Sequence, residues 1–268
     1  MGMSLRERAP RLNMPRKGVL WHQTLMLTHA NMKSRYRNTV SGFLWVVLKP
    51  LILYGTQSLV FMKFLRLDVP NYPTFLATGL LPWIFISQTL DMCTSILVNN
   101  GQLMKALTVH PLVYLAAQIA DNLFNFMAAF LLILIPLNLT RPIEPAAYLF
   151  LPVAVALLGM SVAGIAWFLA ICQVFLRDTR YVITFAQTVF FFVTPTFYPA
   201  EFVPQSYRWL VDYNPYYRLI QPFRHLLYRF DLRAFGASLP PALAVSALFL
   251  VLGTALWTRK RNAIYLNI

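Results

Sequence analysis

Apolar residues along this chain come in long runs, and polar residues are confined to the gaps between them. The runs cover roughly residues 40–65, 75–98, 112–139, 147–176, 181–198 and 240–257. A bilayer's hydrocarbon core is about 30 Å thick and takes about 17–25 residues of helix to cross. The pattern therefore predicts six transmembrane helices. Lys49-Pro50 interrupts the first run. The proline removes a backbone donor and predicts a kink there, and a lysine at that depth must snorkel or face a polar cavity.

The segments outside the runs have patterns of their own. Residues 1–18 are basic, carry Pro10, Pro15 and Gly18, and read as a surface arm. Over 19–38, Trp21, Leu25, Thr28, Met32 and Tyr36 recur at helical spacing, with His22, His29, Lys33 and Arg37 on the other side. This predicts an amphipathic helix lying in the membrane interface. After Asn99-Asn100-Gly101-Gln102, the apolar Leu103, Met104 and Leu107 sit beside Lys105 and His110, as in a short amphipathic helix. Gly159, Ser161, Ala163 and Gly164 make a small-residue patch that lets another helix approach closely. Residues 199–239 mix five arginines with apolar and aromatic side chains. A solvated loop needs no such apolar content, so part of it is expected to fold back as one or two short helices covered by protein or lining a cavity. The fold class is an all-α integral membrane protein: six transmembrane helices, an N-terminal interface helix and short re-entrant helices before the last span. Residues 1–268 are expected to form a single transmembrane domain, divided into an arm (1–18), the interface helix (19–38) and the six-span region (40–258).

Composition agrees with a lipid solvent. Hydrophobic residues make up 58% and charged residues 12%, about half the charge of a typical soluble domain. The net charge of +14 suggests nucleic acid in a soluble protein, but here the basic residues sit in the arm and in the gaps, so no nucleic-acid partner is expected. With the N-terminus inside, eight Lys and Arg of residues 6–37 join Lys105, Arg177, Arg180, Arg259, Lys260 and Arg261 on the inner side, while the short outer loops hold only Arg66 and Arg141. The positive-inside rule then puts both termini in the cytoplasm. No cleaved signal peptide is expected ahead of the first run.

Chemistry of its own is sparse. The chain has no P-loop, no zinc-protease or Cys-x-x-Cys pattern and no nucleophile elbow. Asp91, Asp121 and Asp178 form no recognisable acid–base pair, and no internal repeat suggests an ion-coupled carrier. Cys93 and Cys172 read as small membrane-buried residues. No catalytic residue, metal or cofactor is expected in this chain.

Five stretches, in order, resemble one known family: Arg35-Tyr36-Arg37 with Gly42-Phe43-Leu44-Trp45 and Lys49-Pro50-Leu51; Gly79-Leu80-Leu81-Pro82-Trp83; Phe175-Leu176-Arg177-Asp178-Thr179; Thr194-Pro195-Thr196-Phe197-Tyr198-Pro199; and Asn214-Pro215-Tyr216-Tyr217. Together they resemble the bacterial polysaccharide-export permeases of the ABC-2 type, membrane subunits of ABC exporters. The resemblance covers nearly the whole chain beyond residue 20. It implies a homodimer in the bacterial inner membrane with one conduit between the copies, and a separate cytoplasmic P-loop ATPase pair that binds ATP and Mg. The implied cargo is a lipid-linked polysaccharide such as O-antigen, capsule or teichoic acid, which would tie the chain to lipopolysaccharide or capsule biosynthesis. Whether a periplasmic partner docks on residues 199–239 stays open.

Within that frame the ATPase-coupling residues are Trp21, Leu25 and Met32 of the interface helix, Leu103, Met104, Lys105, Leu107 and His110 of the short helix, and Arg177 and Asp178. The alternative for the last two is a helix-end ion pair. A sliding glycan wants flat apolar faces, so the candidate pathway aromatics are Trp83, Phe85, Phe190, Phe191, Phe192, Phe197 and Tyr198. Residues 190, 191 and 192 point about 100° apart on a helix and cannot all face one conduit. Arg35 and Lys49 either set topology or attract an anionic lipid carrier. Tyr213, Asn214, Pro215, Tyr216 and Tyr217 form the candidate outer gate. Competing readings are an ABC-2 permease for a drug or lipid, and a membrane enzyme acting on lipid-linked sugars.

Overall fold

The computed structural model describes residues 17–37, 42–107, 109–140 and 142–267. The arm up to residue 16 lies outside the described residues, and so do the side chains of Arg35, Arg37 and Leu107. Among the described residues ten α-helices follow one another: α1 (Lys17–Arg37), α2 (Gly42–Leu59), α3 (Tyr72–Asn99), α4 (Gly101–Leu107), α5 (Pro111–Thr140), α6 (Pro145–Phe175), α7 (Thr179–Val193), α8 (Arg208–Asp212), α9 (Pro215–Leu227) and α10 (Leu232–Asn267). A π-helical turn, Val60–Phe64, extends α2, and two 3-10 turns precede α8. No strand occurs among the described residues.

Helix α3 is the hub. It packs against α2, α5, α6, α7 and α9. Leu76, Ala77, Thr78, Leu80 and Leu90 on it are fully buried, so it is covered on all sides, as a helix apolar all round must be. Its pattern starts at Tyr72 because Asn71 adopts φ 49° and Pro73 follows. Buried threonines do not break it, since Thr78 and Thr94 donate their hydroxyls to carbonyls of their own helix, Phe75 O and Leu90 O.

Among the described residues four helices are long and apolar enough to cross a membrane: Tyr72–Asn99, Pro111–Leu139, Pro145–Phe175 and Leu232–Arg261. Two expected runs take different forms. The first is 18 residues of α2 continued by five of π-helix, with Pro50 buried and Lys49 exposed. The fifth ends early, since α7 has only 15 residues, about 22 Å. Pro195 disfavours helical geometry at the residue before it, and Thr194 is already extended. Residues 194–199 continue as non-helical backbone. The last helix is longer than expected. It runs through Pro240 and Pro241 for 36 residues, opened by Asp231, whose Oδ1 accepts from the Arg233 and Ala234 N–H groups at 2.9 and 3.0 Å.

Of the small-residue patch, Gly164 is where another helix comes close, while a Cβ at Gly159 would have nothing within 4 Å. Helices α6 and α10 pack along their length. At Gly164 a Cβ would stand 2.5 Å from the Phe249 carbonyl carbon, and at Gly253 a Cβ would stand 2.5 Å from Gly164 O. Only glycine admits this approach of backbones. Ser246 joins the pair by donating to Leu157 O at 2.9 Å.

Helix α1 lies along α5 and touches α2. Its half-buried side is Leu20, Gln23, Thr24, Leu27, Thr28, Asn31 and Met32, so it takes in Thr28 and Met32 of the expected stripe but not Trp21 or Leu25. Trp21 and Leu25 lie on its exposed flank, Trp21 at 67% exposure. Thr24 and Thr28 bond back to Leu20 O and Thr24 O at 2.8 Å each, so their hydroxyls need no outside partner.

Candidate substrate path and partner-facing surfaces

Three of the sequence motifs that lie far apart in the chain meet at one junction. Gly79 on α3 has no side chain, and the backbone of residues 194–199 lies against it: a Cβ there would be 2.5 Å from Thr196 O and 3.0 Å from Arg224 Nη2. The Arg224 side chain donates to Pro195 O and, at 3.1 Å, to Thr196 O. Asn214 caps α9, its Oδ1 accepting from Tyr216 and Tyr217 N–H at 2.9 and 3.2 Å, while its Nδ2 donates to Thr194 Oγ1 at 2.9 Å. Tyr72 donates to Phe197 O at 2.8 Å. Trp83 finishes the junction, packing on Phe191 and edge-on against Tyr216 at centroid distances of 5.7 and 5.4 Å. Extended backbone buried beside a helix must have its carbonyls and hydroxyls satisfied. Arg224, Asn214 and Tyr72 do that here.

This geometry sorts the candidate aromatics. Trp83 and Phe85 are buried inside the protomer and offer no ring face along its surface. Phe85 packs on Phe126 at 5.2 Å. Phe190 and Phe191 are partly buried, with Phe190 edge-on to Tyr216 at 5.1 Å. Phe197 and Tyr198 are partly buried too, Tyr198 donating to Phe192 O at 2.9 Å. Phe192 points outward at 62% exposure. Two neighbours missing from the candidate set share that exposure: Tyr181 at 76% and Phe185 at 72%. Their spacing to Phe192, four and then seven residues, is a helical face legible in the sequence. Thr184, Thr188 and Val189 are exposed beside them. The outward sides of α6 and α10 differ, carrying mainly aliphatic residues such as Leu149, Val153, Leu248 and Val251.

The opposite end of the bundle holds the other candidates. Met104 is fully buried and Leu103 exposed on the seven-residue α4; Lys105 is exposed. Met32 is half-buried on α1. His110 is buried against Trp257 at 5.4 Å, and its Nδ1 accepts from Leu112 N–H at 3.3 Å. Burial lowers its pKa and so favours the neutral ring that this acceptor needs. Arg177 and Asp178 are both exposed. Their turn is tied by Gln173, which donates to Arg177 O at 2.9 Å and accepts from Arg180 N–H at 2.8 Å. At the α9 end Tyr213 is exposed, Pro215 and Tyr217 are half-buried, and Asn214 and Tyr216 are buried.

An all-helical body with several membrane-length apolar helices and a helical-plus-extended junction near one end defines a multi-pass membrane protein, and its sequence places it in a known class. The pattern of the ABC-2 type transporter family matches residues 22–228, most of the chain, and the chain belongs to that family.

Among individual proteins, it is 25% identical over 213 residues to an O-antigen export system permease protein RfbA of Klebsiella pneumoniae, covering 78% of this chain and 81% of the relative. It is 28% identical over 231 residues to the O-antigen export system permease protein RfbA of Myxococcus xanthus, covering 85% and 87%.

Proposed function

We propose that this chain is the membrane-spanning permease subunit of an ATP-driven exporter that moves a lipid-linked polysaccharide, of O-antigen or capsular type, across the bacterial inner membrane. The observation that carries the reading is the face of α7: Tyr181, Phe185 and Phe192 with Thr184 and Thr188 between them, uncovered by the protomer. Lipid asks only for aliphatic surface, which α6 and α10 supply. The rings suit sugar, whose C–H faces pack on aromatic carbon; the Thr184 and Thr188 hydroxyls donate to Arg180 O and Thr184 O and keep lone pairs that can accept from sugar hydroxyls. Two copies related by a two-fold axis would bring two such faces together around one conduit. The names of the relatives support the cargo.

In this reading α2 with its π-turn, α3, α5, α6, α7 with residues 194–199, and α10 make six crossings, and both termini are cytoplasmic. Helix α1 lies in the interface, with Trp21 and Leu25 among the lipid and His22, His29 and Lys33 toward water. Helix α4 and the turn at Arg177 and Asp178 meet a separate ATPase pair, which binds ATP and Mg. Its closure moves α4 and α1, rocks the bundle, and opens a path past α8 and α9, which form a short re-entrant outer gate. Lys49 and Arg35 stand where the anionic head of a lipid carrier would enter.

The test is a strain lacking the chain, complemented with the wild type or with Tyr181, Phe185 and Phe192 all changed to Ala. Loss of surface glycan on gels, restored by the wild type only, is the expected result. An unchanged glycan in the deletion strain, or ATP hydrolysis by the purified chain alone, refutes the proposal.

A further inference from the structure

Beside the junction, on the same end of the bundle, lies a cavity of about 400 Å³. One wall is the link from α2 to α3 (Asp68, Val69, Pro70) with Phe75; the others are the first 3-10 turn (Ala200, Glu201, Phe202) and one face of α9 with Tyr228 and Arg229. The volume falls within the range of about 300–1,000 Å³ usual for small-molecule sites.

Its lining has an unusual chemistry for a membrane protein's outer end. Arg224 is more than nine-tenths buried and its guanidinium lies 4.1 Å over the Phe75 ring. Its Nη2 holds the backbone at 195 and 196, but its Nε–H has no hydrogen-bond acceptor. Glu201 acts on it electrostatically, yet no ion pair within 4 Å joins them among the described residues. Gln221 contributes an amide that both donates and accepts. Arg229 stacks on Tyr228 at 5.4 Å, and Tyr228 stands edge-on to Phe75 at 5.2 Å. The pocket thus offers the exposed Phe202 ring, donors and carboxylate acceptors, with two arginines balanced by Asp68 and Glu201.

We propose that this cavity binds one pyranose unit of a glycan, so that each protomer holds a sugar at the outer end of the path. A pyranose is the ligand that needs all three features at once. Its hydroxyls each donate and accept, and its axial C–H groups pack on rings. A phosphate or diphosphate head needs donors only and is repelled by Asp68 and Glu201, which stand on two of the walls. Position supports the assignment. Phe197 touches Phe192 of the α7 face at a centroid distance of 6.3 Å, and two residues later Pro199 begins the cavity wall. A sugar chain leaving that face meets the cavity next. The assignment deepens the export reading and rests on it for the glycan's source.

The test uses the purified full-length chain in lipid nanodiscs and saturation-transfer difference NMR, with D-glucose, D-galactose, D-mannose, D-rhamnose and N-acetylglucosamine as probes and sodium pyrophosphate as competitor. At least one sugar should receive saturation at its ring protons, with millimolar affinity. Glu201→Gln and Gln221→Leu alter partly or fully exposed side chains and leave the Arg224 clamp in place. Each should weaken binding about tenfold, Gln221→Leu by losing a hydrogen bond and Glu201→Gln by turning a charge-assisted acceptor into a neutral one, with an unchanged size-exclusion profile. Pyrophosphate should not compete. Absence of transfer to every sugar, equal transfer in the variants, or displacement by pyrophosphate overturns the assignment. If a deletion strain loses its surface glycan while the purified chain binds none of the sugars, the cavity assignment alone falls and the export reading stands.

Discussion

Gly79→Ala is the sharpest test of the junction. An added Cβ at that position would sit 2.5 Å from Thr196 O and 3.0 Å from Arg224 Nη2. The first neighbour is backbone and cannot rotate away, so residues 194–199 must retreat by about 1 Å to regain ordinary contact. Overpacking of this kind costs about 1–3 kcal/mol. The retreat also breaks one of Arg224's charge-assisted bonds to Pro195 O or Thr196 O, worth about 1.5–3 kcal/mol. Alanine returns about 1 kcal/mol through its better helix propensity. The net loss is about 1.5–5 kcal/mol, a fall in midpoint of about 3–9 °C for a chain of this size. Thermal unfolding of the purified protein, followed by fluorescence-detected size exclusion, reads this directly. Gly159→Ala is the control: it lies in a helix with nothing within 4 Å of its Cβ, so it should melt at or slightly above the wild type. If Gly79→Ala melts with Gly159→Ala, residues 194–199 do not rest on α3 and the junction is wrong.

Three further outcomes follow from particular contacts. Asn214→Ala removes the α9 cap and the bond to Thr194 and should cost about 1–2 kcal/mol in thermal unfolding, whereas Asn214→Asp, which keeps the cap, should cost less. Changing Tyr181, Phe185 and Phe192 together to Ala removes only exposed rings, so each should alter protomer stability by no more than about 0.5 kcal/mol while export, read as surface glycan, is lost; a strong fall in midpoint would show that the rings are structural. The Ala234 N–H, then the Arg233 N–H, hold the Asp231 carboxylate below its usual pKa. A depressed acid pKa stabilises the fold above the unfolded value, near 4, and the benefit is lost as pH falls from there through the folded value. Hydrogen exchange at the first turn of α10 should therefore quicken over that acid range, and Asp231→Asn, which keeps the cap without a titrating charge, should flatten the dependence.

Much of this architecture is written in the chain, because hydropathy is a local quantity. The apolar runs, the breaks near 99–102 and 140–146, and the short helix at 101–107 follow from residues within a turn or two of each other. The glycine patch at Gly164 also shows through, since only a small residue admits a neighbouring backbone. What the residues could not show is which side of each run meets protein. Trp83 and Phe85 look like path-lining aromatics by type, yet neighbouring α7, α9 and α5 cover them. Tyr181 and Phe185 look like ordinary members of an apolar run, yet among the described residues they stand exposed.

The sequence alone determined how many apolar runs there are, where they break, and how the basic residues bias their orientation, because each depends on composition over a short stretch. The tertiary structure decided that residues 79–83, 194–199 and 214–217 meet at one junction, that an arginine from α9 supports the extended backbone there, and that the aromatic face of α7 is left bare. Those facts depend on packing between segments from 20 to 125 residues apart, and a helix presents each of its sides equally until a neighbour covers one.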